Sequence, residues 1–127
     1  MSDQTTEGIR IQVRSMFMPE KSAPASNRYF FAYKVRISNV GTETAQLVSR
    51  RWEITDADGE VQVVEGDGVI GQQPILDPGD AHEYTSFCPL KTPFGSMHGF
   101  YVMVRPNGHT FQAVIAPFPL AMPTALN

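Results

Sequence analysis

Residues 66–71 read Gly-Asp-Gly-Val-Ile-Gly, the letters of a phosphate-cradling G-x-G-x-x-G loop, but the residues that follow forbid the fold that such a loop serves. A dinucleotide loop leaves a strand and opens a helix whose first amides hold the pyrophosphate. Here Gln72-Gln73-Pro74-Ile75-Leu76-Asp77-Pro78-Gly79 follows. Proline lacks an amide and clashes with the preceding turn, so two prolines so close together exclude that helix. The motif therefore lies between strands, and its chemical meaning is open.

The rest of the chain is patterned for strands. Ile9, Ile11 and Val13 alternate with Arg10, Gln12 and Arg14, which marks a half-buried strand. Tyr29, Phe31, Tyr33, Val35 and Ile37 alternate with Phe30, Ala32, Lys34, Arg36 and Ser38 in the clearest case. The Thr44–Thr55 segment can be read at helical spacing through Ala45, Val48 and Trp52, or at period two through Val48, Arg50, Trp52 and Ile54. The Asp56-Ala57-Asp58-Gly59 turn that follows decides for a strand, returning through Glu60–Val64. Ala81–Cys88 is the next strand. Phe100, Val102 and Val104 start another, which turns at Asn107-Gly108 and returns through Phe111, Ala113 and Ile115. Pro117, Pro119 and Pro123 leave the tail extended.

These segments predict an all-β domain, a β-sandwich of about seven strands. The expected core is Ile11, Val13, Tyr33, Val35, Ile37, Trp52, Ile54, Phe100, Val102 and Phe111. A chain of 127 residues makes one domain, spanning 1–127 with its core from about 9 to 122. The single cysteine, Cys88, allows no internal disulfide, so the fibronectin type III-like version of the immunoglobulin-like sandwich fits better than the antibody type. With no apolar leader after Met1 and no run of membrane-spanning length, the expected setting is cytoplasmic, without a membrane partner.

Charge is unevenly spread. Residues 1–51 carry eight Lys/Arg against four Asp/Glu, and residues 52–127 carry two against nine. All nine acids lie between Glu53 and Glu83, where there is no Lys or Arg. Asp67 inside the glycine motif and Glu65 before it oppose phosphate there. The acidic balance also speaks against nucleic-acid binding, which needs a basic footprint.

The catalytic and metal candidates are weak. His82, His98 and His109 fall on three segments without ligand spacing, so no metal site is expected. Asp56–Gly59 lacks the later ligands of a calcium loop. His82 shares the strand of Cys88 but lies roughly 20 Å along it, too far to act as its base. Ser96 misses the nucleophile-elbow spacing by one residue. The chain is expected not to be an enzyme and to need no cofactor. The glycine loop admits three readings. It is a structural loop that tucks Val69 and Ile70 onto the sandwich, an exposed tip that binds a partner, or a site for an anion or nucleotide.

Taken together, Arg50-Arg51-Trp52, Asp58-Gly59, the run Gly66–Pro74 and Leu76-Asp77-Pro78-Gly79 resemble the ApaG family of bacterial domain proteins. Tyr84-Thr85-Ser86, Leu90, Thr92-Pro93, Gly95, Met97, Gly99, Tyr101, Met103, Gly108, Phe111, Ile115, Phe118 and Leu120 extend the likeness from about Ile9 to Met122. The resemblance implies a fibronectin type III-like or immunoglobulin-like sandwich. It also implies a link to cobalt resistance and magnesium efflux, and, from eukaryotic proteins that carry the domain, a protein-binding role. It brings no catalytic residues. The family's glycine motif has been regarded as a possible pyrophosphate site.

The expected contact is a loop formed by Gly66, Asp67, Gly68, Val69, Ile70, Gly71 and Pro74, beside Tyr84, Thr85 and Ser86. Its expected occupant is a protein, with the domain itself a monomer or weak homodimer. The alternative is a pyrophosphate, nucleotide or divalent cation in the same loop.

Overall fold

Every alternating segment becomes a strand, and two strands join that the alternation does not announce. The computed structural model describes residues 1–123. The order is β1 (Ser2–Thr6), β2 (Ile9–Phe17), β3 (Tyr29–Asn39), β4 (Ala45–Asp56), β5 (Val61–Asp67), β6 (Ile75–Leu76), β7 (Ala81–Leu90), β8 (Phe94–Val104) and β9 (Thr110–Ala121). Two three-residue 3₁₀ segments, Pro19–Lys21 and Pro24–Ser26, lie in the β2–β3 connection.

The strands form two antiparallel sheets packed face to face. One has the order β1-β2-β3-β7 and the other β5-β4-β8-β9, with β6 paired to the start of β4. The chain changes sheet between β3 and β4, between β6 and β7 and again between β7 and β8, as in a fibronectin type III-like or immunoglobulin-like sandwich. Strand β1 is polar, so alternation gives no sign of it. Its cue is Glu7-Gly8, both at positive φ (46° and 81°), which makes the tight turn that pairs Thr6 with Ile9.

The core lies between the sheets. Ile9, Ile11, Val13, Phe31, Val35 and Ile37 face it from one side, and Leu47, Trp52, Met97, Tyr101, Met103, Ile115, Phe118 and Leu120 from the other. Trp52 is 2% exposed, and its indole meets the rings of Tyr33, Tyr101 and Phe118 edge-on. Such aromatic packing adds to the area it removes from water.

The expected core needs one correction. Phe100 and Val102 are half-buried on the outer face, and Met97, Tyr101 and Met103 point inward instead. Residues 100–104 are apolar at both parities, so alternation cannot choose a face. Tertiary pairing chooses it, by setting Tyr101 opposite Arg50 and Gly99 opposite Trp52. Gly99 is needed there, because a Cβ would collide with the Arg51 carbonyl oxygen.

Strand β9 also runs on through Pro117 and Pro119, beyond its expected end at Ile115. An edge strand tolerates missing amides, and the register shifts across this stretch. Residues 124–127 of the expected domain lie outside the described residues.

Burial pushes the Cys88 thiol up to about 11 from 9.0 and raises the phenols of Tyr33, Tyr84 and Tyr101. A buried group whose pKa is raised stabilises the fold below its unfolded value and loses that contribution as pH climbs to the folded one. Stability therefore falls from about pH 9, by up to about 1.4 kcal/mol per pH unit for the thiol. Melts between pH 8 and 11 check this. Cys88→Ala should flatten the fall between 9 and 11, and an unchanged slope would remove the thiol as its source.

Candidate functional site: the glycine loop and Arg50

The motif begins inside β5, since Gly66 and Asp67 are its last two residues. The chain then makes a two-residue reverse turn. Val69 N–H donates to the Gln72 carbonyl (2.8 Å) and Gln72 N–H to the Val69 carbonyl (3.0 Å). Ile70 and Gly71 occupy the centre with φ of 47° and 73°, the double left-handed conformation of a type I′ turn.

Each glycine answers a different steric demand. Gly71 takes the left-handed angle and meets nothing else within 4 Å. Gly68, at φ 62°, turns the chain so tightly that a Cβ would enter the Gln72 carbonyl oxygen. Gly66 lies opposite Arg50 in the β4–β5 ladder, and a Cβ there would stand 2.7 Å from the guanidinium. Glycine at all three positions is thus accounted for by the turn and by Arg50, without a phosphate.

Three of the loop's amides are engaged within the protein rather than offered to a cradle. Gly68 N–H donates to the Val48 carbonyl (2.8 Å), and those of Val69 and Gln72 are used within the turn. Around them, Gln73 Nε2 donates to the Val48 carbonyl, Gln46 Nε2 to the Gln73 carbonyl, and Leu47 N–H to the Pro74 carbonyl. The loop is thereby tied to the start of β4.

Arg50 is the residue that sequence reasoning passed over as a functional group. It stands in phase with Trp52 and Ile54, so its side chain enters the sandwich between Tyr101 and Gly66. Its Nη1 donates to the carbonyls of Asp67 (3.0 Å) and Gly68 (2.9 Å), and no carboxylate pairs with it among the described residues. An arginine on an apolar strand face was the available signal. On the outer face Arg51 pairs with Glu65 (3.2 Å) and Glu53 (3.5 Å). The sequence leaves the acids of residues 53–83 without a neighbouring cation. Pairing of β4 with β5 brings Arg51 to Glu65.

The two apolar residues of the motif part company. Val69 is 1% exposed and joins the core, whereas Ile70 is 64% exposed at the tip. Ile75, on β6, is 62% exposed as well. Pro74 is half-buried.

Tyr84, Thr85 and Ser86 lie on the opposite sheet, in β7. Tyr84 and Ser86 face inward, and the Tyr84 hydroxyl is hydrogen-bonded to that of Tyr101. Only Thr85 is exposed. The loop and this strand are thus the open sides of two facing sheets, with Arg50 and the tyrosines between them.

Among the described residues no group of three or more His, Cys, Asp or Glu side chains is arranged to hold a metal ion. His98 pairs with Glu53 (2.8 Å) and His109 with Glu7 (3.0 Å), at separate places. Cys88 is buried, with its thiol directed to the Pro89 carbonyl. No described helix is long and apolar enough to cross a membrane.

The model of the ApaG domain matches residues 19–105, a span that takes in strands of both sheets and the whole glycine loop. Protein ApaG of Anaeromyxobacter dehalogenans is 61% identical over 127 residues, covering all of both chains. Protein ApaG of Azotobacter vinelandii is 52% identical over the same span. A crystal structure described as the putative ApaA protein of Bordetella pertussis superposes with a TM-score of 0.89 at 51% identity, covering 91% of this chain and 94% of that one. The C-terminal domain of wzt, with a TM-score of 0.55 at 11% identity over 94% of this chain and 76% of that one, shares the fold alone. With a domain model spanning both sheets and relatives this similar from end to end, the chain belongs to the ApaG family.

Proposed function

We propose that this ApaG domain is a non-enzymatic, cytoplasmic protein-interaction module whose contact includes the β5–β6 loop with Ile70 at its tip. The observation that carries this reading is Ile70 itself. A β-branched residue at positive φ is a conformational outlier, costing about 1–2 kcal/mol. Its side chain is largely exposed, so no burial within the domain offsets that cost. Such strain belongs to a residue that is used elsewhere. Ile75 supplies a second exposed apolar side chain on the same connection. The family's link to cobalt resistance and magnesium efflux would then run through the partner.

Opposite stability effects are expected at the two neighbours. Ile70→Asn should raise stability by about 1 kcal/mol, because asparagine tolerates the left-handed region. Val69→Ala should lower it by about 2 kcal/mol through the cavity it leaves. Urea melts measure both. A photo-crosslinker at position 70 should capture a defined partner, and Ile75→Ser should reduce the yield. A crosslinker at Gly59, in the turn after β4, is the control. Equal capture at both positions would remove the loop from the interface.

The second reading is a small anion, pyrophosphate or a nucleotide, at the same loop. It is favoured by Arg50 beside Gly66 and Gly68. Titration of pyrophosphate and ATP, followed at the Gly66–Gly71 amides, tests it. Saturable binding tighter than about 10 μM, near −7 kcal/mol, would put it first.

A further inference from the structure

Five strands have an open edge: β1, β5, β7, β9 and the two-residue β6. Natural proteins blunt such edges with short strands, prolines, charges or bulges. Strand β1 has five residues, β9 contains Pro117 and Pro119, and β5 runs into Gly66 with Glu65 and Asp67 beside it. Strand β7 has ten residues and no Lys or Arg; its one carboxylate, Glu83, is paired with Arg36 and Lys34 of its own sheet, its one proline, Pro89, is next to its end, and its register with β3 is unbroken from Tyr29↔Leu90 to Ser38↔Ala81. It is the least protected edge of the molecule.

The backbone groups it offers can be named. Phe30 N–H donates to Ser22 Oγ (2.9 Å) and its carbonyl accepts from Met18 N–H (2.8 Å), so its polar groups turn away from β7. Its register partner is Pro89, which has no N–H to give. Phe30 and Pro89 are therefore a non-hydrogen-bonded pair. Such pairs recur every second residue, so Ala32–Phe87, Lys34–Thr85 and Arg36–Glu83 are of the same kind. The N–H and C=O groups of Glu83, Thr85 and Phe87 consequently point to the open edge.

The space beyond that edge has a chemical character. Tyr84 reaches across the sandwich to Tyr101 on β8. The next positions in that sheet are Arg50 on β4 and Gly66 on β5. A strand laid beside β7 would lie above them. Its residue opposite Tyr84 or Ser86 would share their inward direction and face the guanidinium that lacks a carboxylate. On the outer side it would meet Phe87, which is half-exposed and stacked on Phe30.

We propose that the open edge of β7 accepts an extended segment of a partner protein as an added strand, with an Asp or Glu side chain of that segment pairing with Arg50. Backbone bonds would supply affinity in any sequence, and the buried carboxylate–guanidinium pair would supply selectivity. The proposal rests on the protein-binding reading above and adds the mode of binding and the partner's chemistry.

The probes are blocked octapeptides of alternating threonine and valine with one central glutamate, glutamine or lysine, added to the whole isotope-labelled chain. The glutamate peptide should slow amide exchange at Glu83, Thr85 and Phe87 by tenfold or more and bind at least tenfold more tightly than the other two. Arg50→Gln should abolish the difference between glutamate and glutamine. Thr85→Pro removes one outward amide and should abolish binding, while Thr85→Ala retains it. If either variant fails to fold, the exchange map and the peptide series on the unaltered chain decide.

Equal affinity for the three peptides, or no binding by any, would overturn the proposal. So would protection confined to residues 70–72, an outcome that leaves the loop contact standing. Concentration-dependent protection of β7 without peptide would make the occupant a second copy of this chain and overturn it too. Crosslinking at position 70 reports on the interaction role independently of β7.

Discussion

Trp52→Ala should cost about 3–5 kcal/mol, the largest loss expected from a single side chain in this domain. The indole is fully enclosed and is the meeting point of Tyr33, Tyr101 and Phe118, which come from both sheets. Removing it leaves a cavity that rigid neighbouring rings cannot close, and it forfeits three edge-on aromatic contacts. Domains of this kind are stable by only about 5–15 kcal/mol, so the variant should be marginal at physiological temperature. Urea unfolding followed by circular dichroism measures the loss without relying on the tryptophan signal. A loss below about 1 kcal/mol would mean that the indole is not a core residue in solution.

Gly68→Ala comes second, at about 3 kcal/mol. Left-handed φ costs an alanine about 1–2 kcal/mol, and forcing a methyl group into packed backbone adds about 1–3 kcal/mol. The obstruction is the Gln72 carbonyl oxygen, which is held by the Val69 amide and cannot swing aside without opening the turn. Gly71→Ala provides the internal comparison. Its φ is also positive, but its surroundings are open, so only the conformational cost of about 1 kcal/mol applies. Melts of the two variants should differ by about 2 kcal/mol. Equal losses would mean that backbone angle alone, and not close approach, fixes glycine at position 68. The outcome matters for function, because it bears on whether the motif's spacing reflects a turn or a ligand.

Much of this molecule is legible in its residues. Alternation from Tyr29 to Ser38 marks β3, and Asn107-Gly108 marks the β8–β9 turn. Pro74 and Pro78 exclude a helix after the glycine motif. The motifs Arg50-Arg51-Trp52, Gly66–Pro74 and Leu76–Gly79 resemble those of ApaG domains, the family to which the chain belongs.

The candidate site was legible only in part. The loop was marked by its glycines, but Arg50 was not singled out, although its place in the Val48–Ile54 alternation put a guanidinium on a buried face. The sequence left Val69 and Ile70 as a pair, tucked in or both exposed. The turn separates them, because adjacent residues in a tight reversal point to opposite sides.

The sequence by itself determined where the alternating strands form, since that follows from local periodicity and backbone-breaking residues, and its motifs carried the likeness to the ApaG family. Tertiary structure decided what periodicity leaves degenerate. Residues 100–104 are apolar on both faces, and only pairing with β4 turned Tyr101 inward. Strand β1 is polar on both faces, and only a neighbouring strand recruits it. The open edge of β7 is likewise a property of the whole sheet. A strand's sequence specifies its own hydrogen-bonding groups, but whether another strand covers them depends on how the chain is arranged in space.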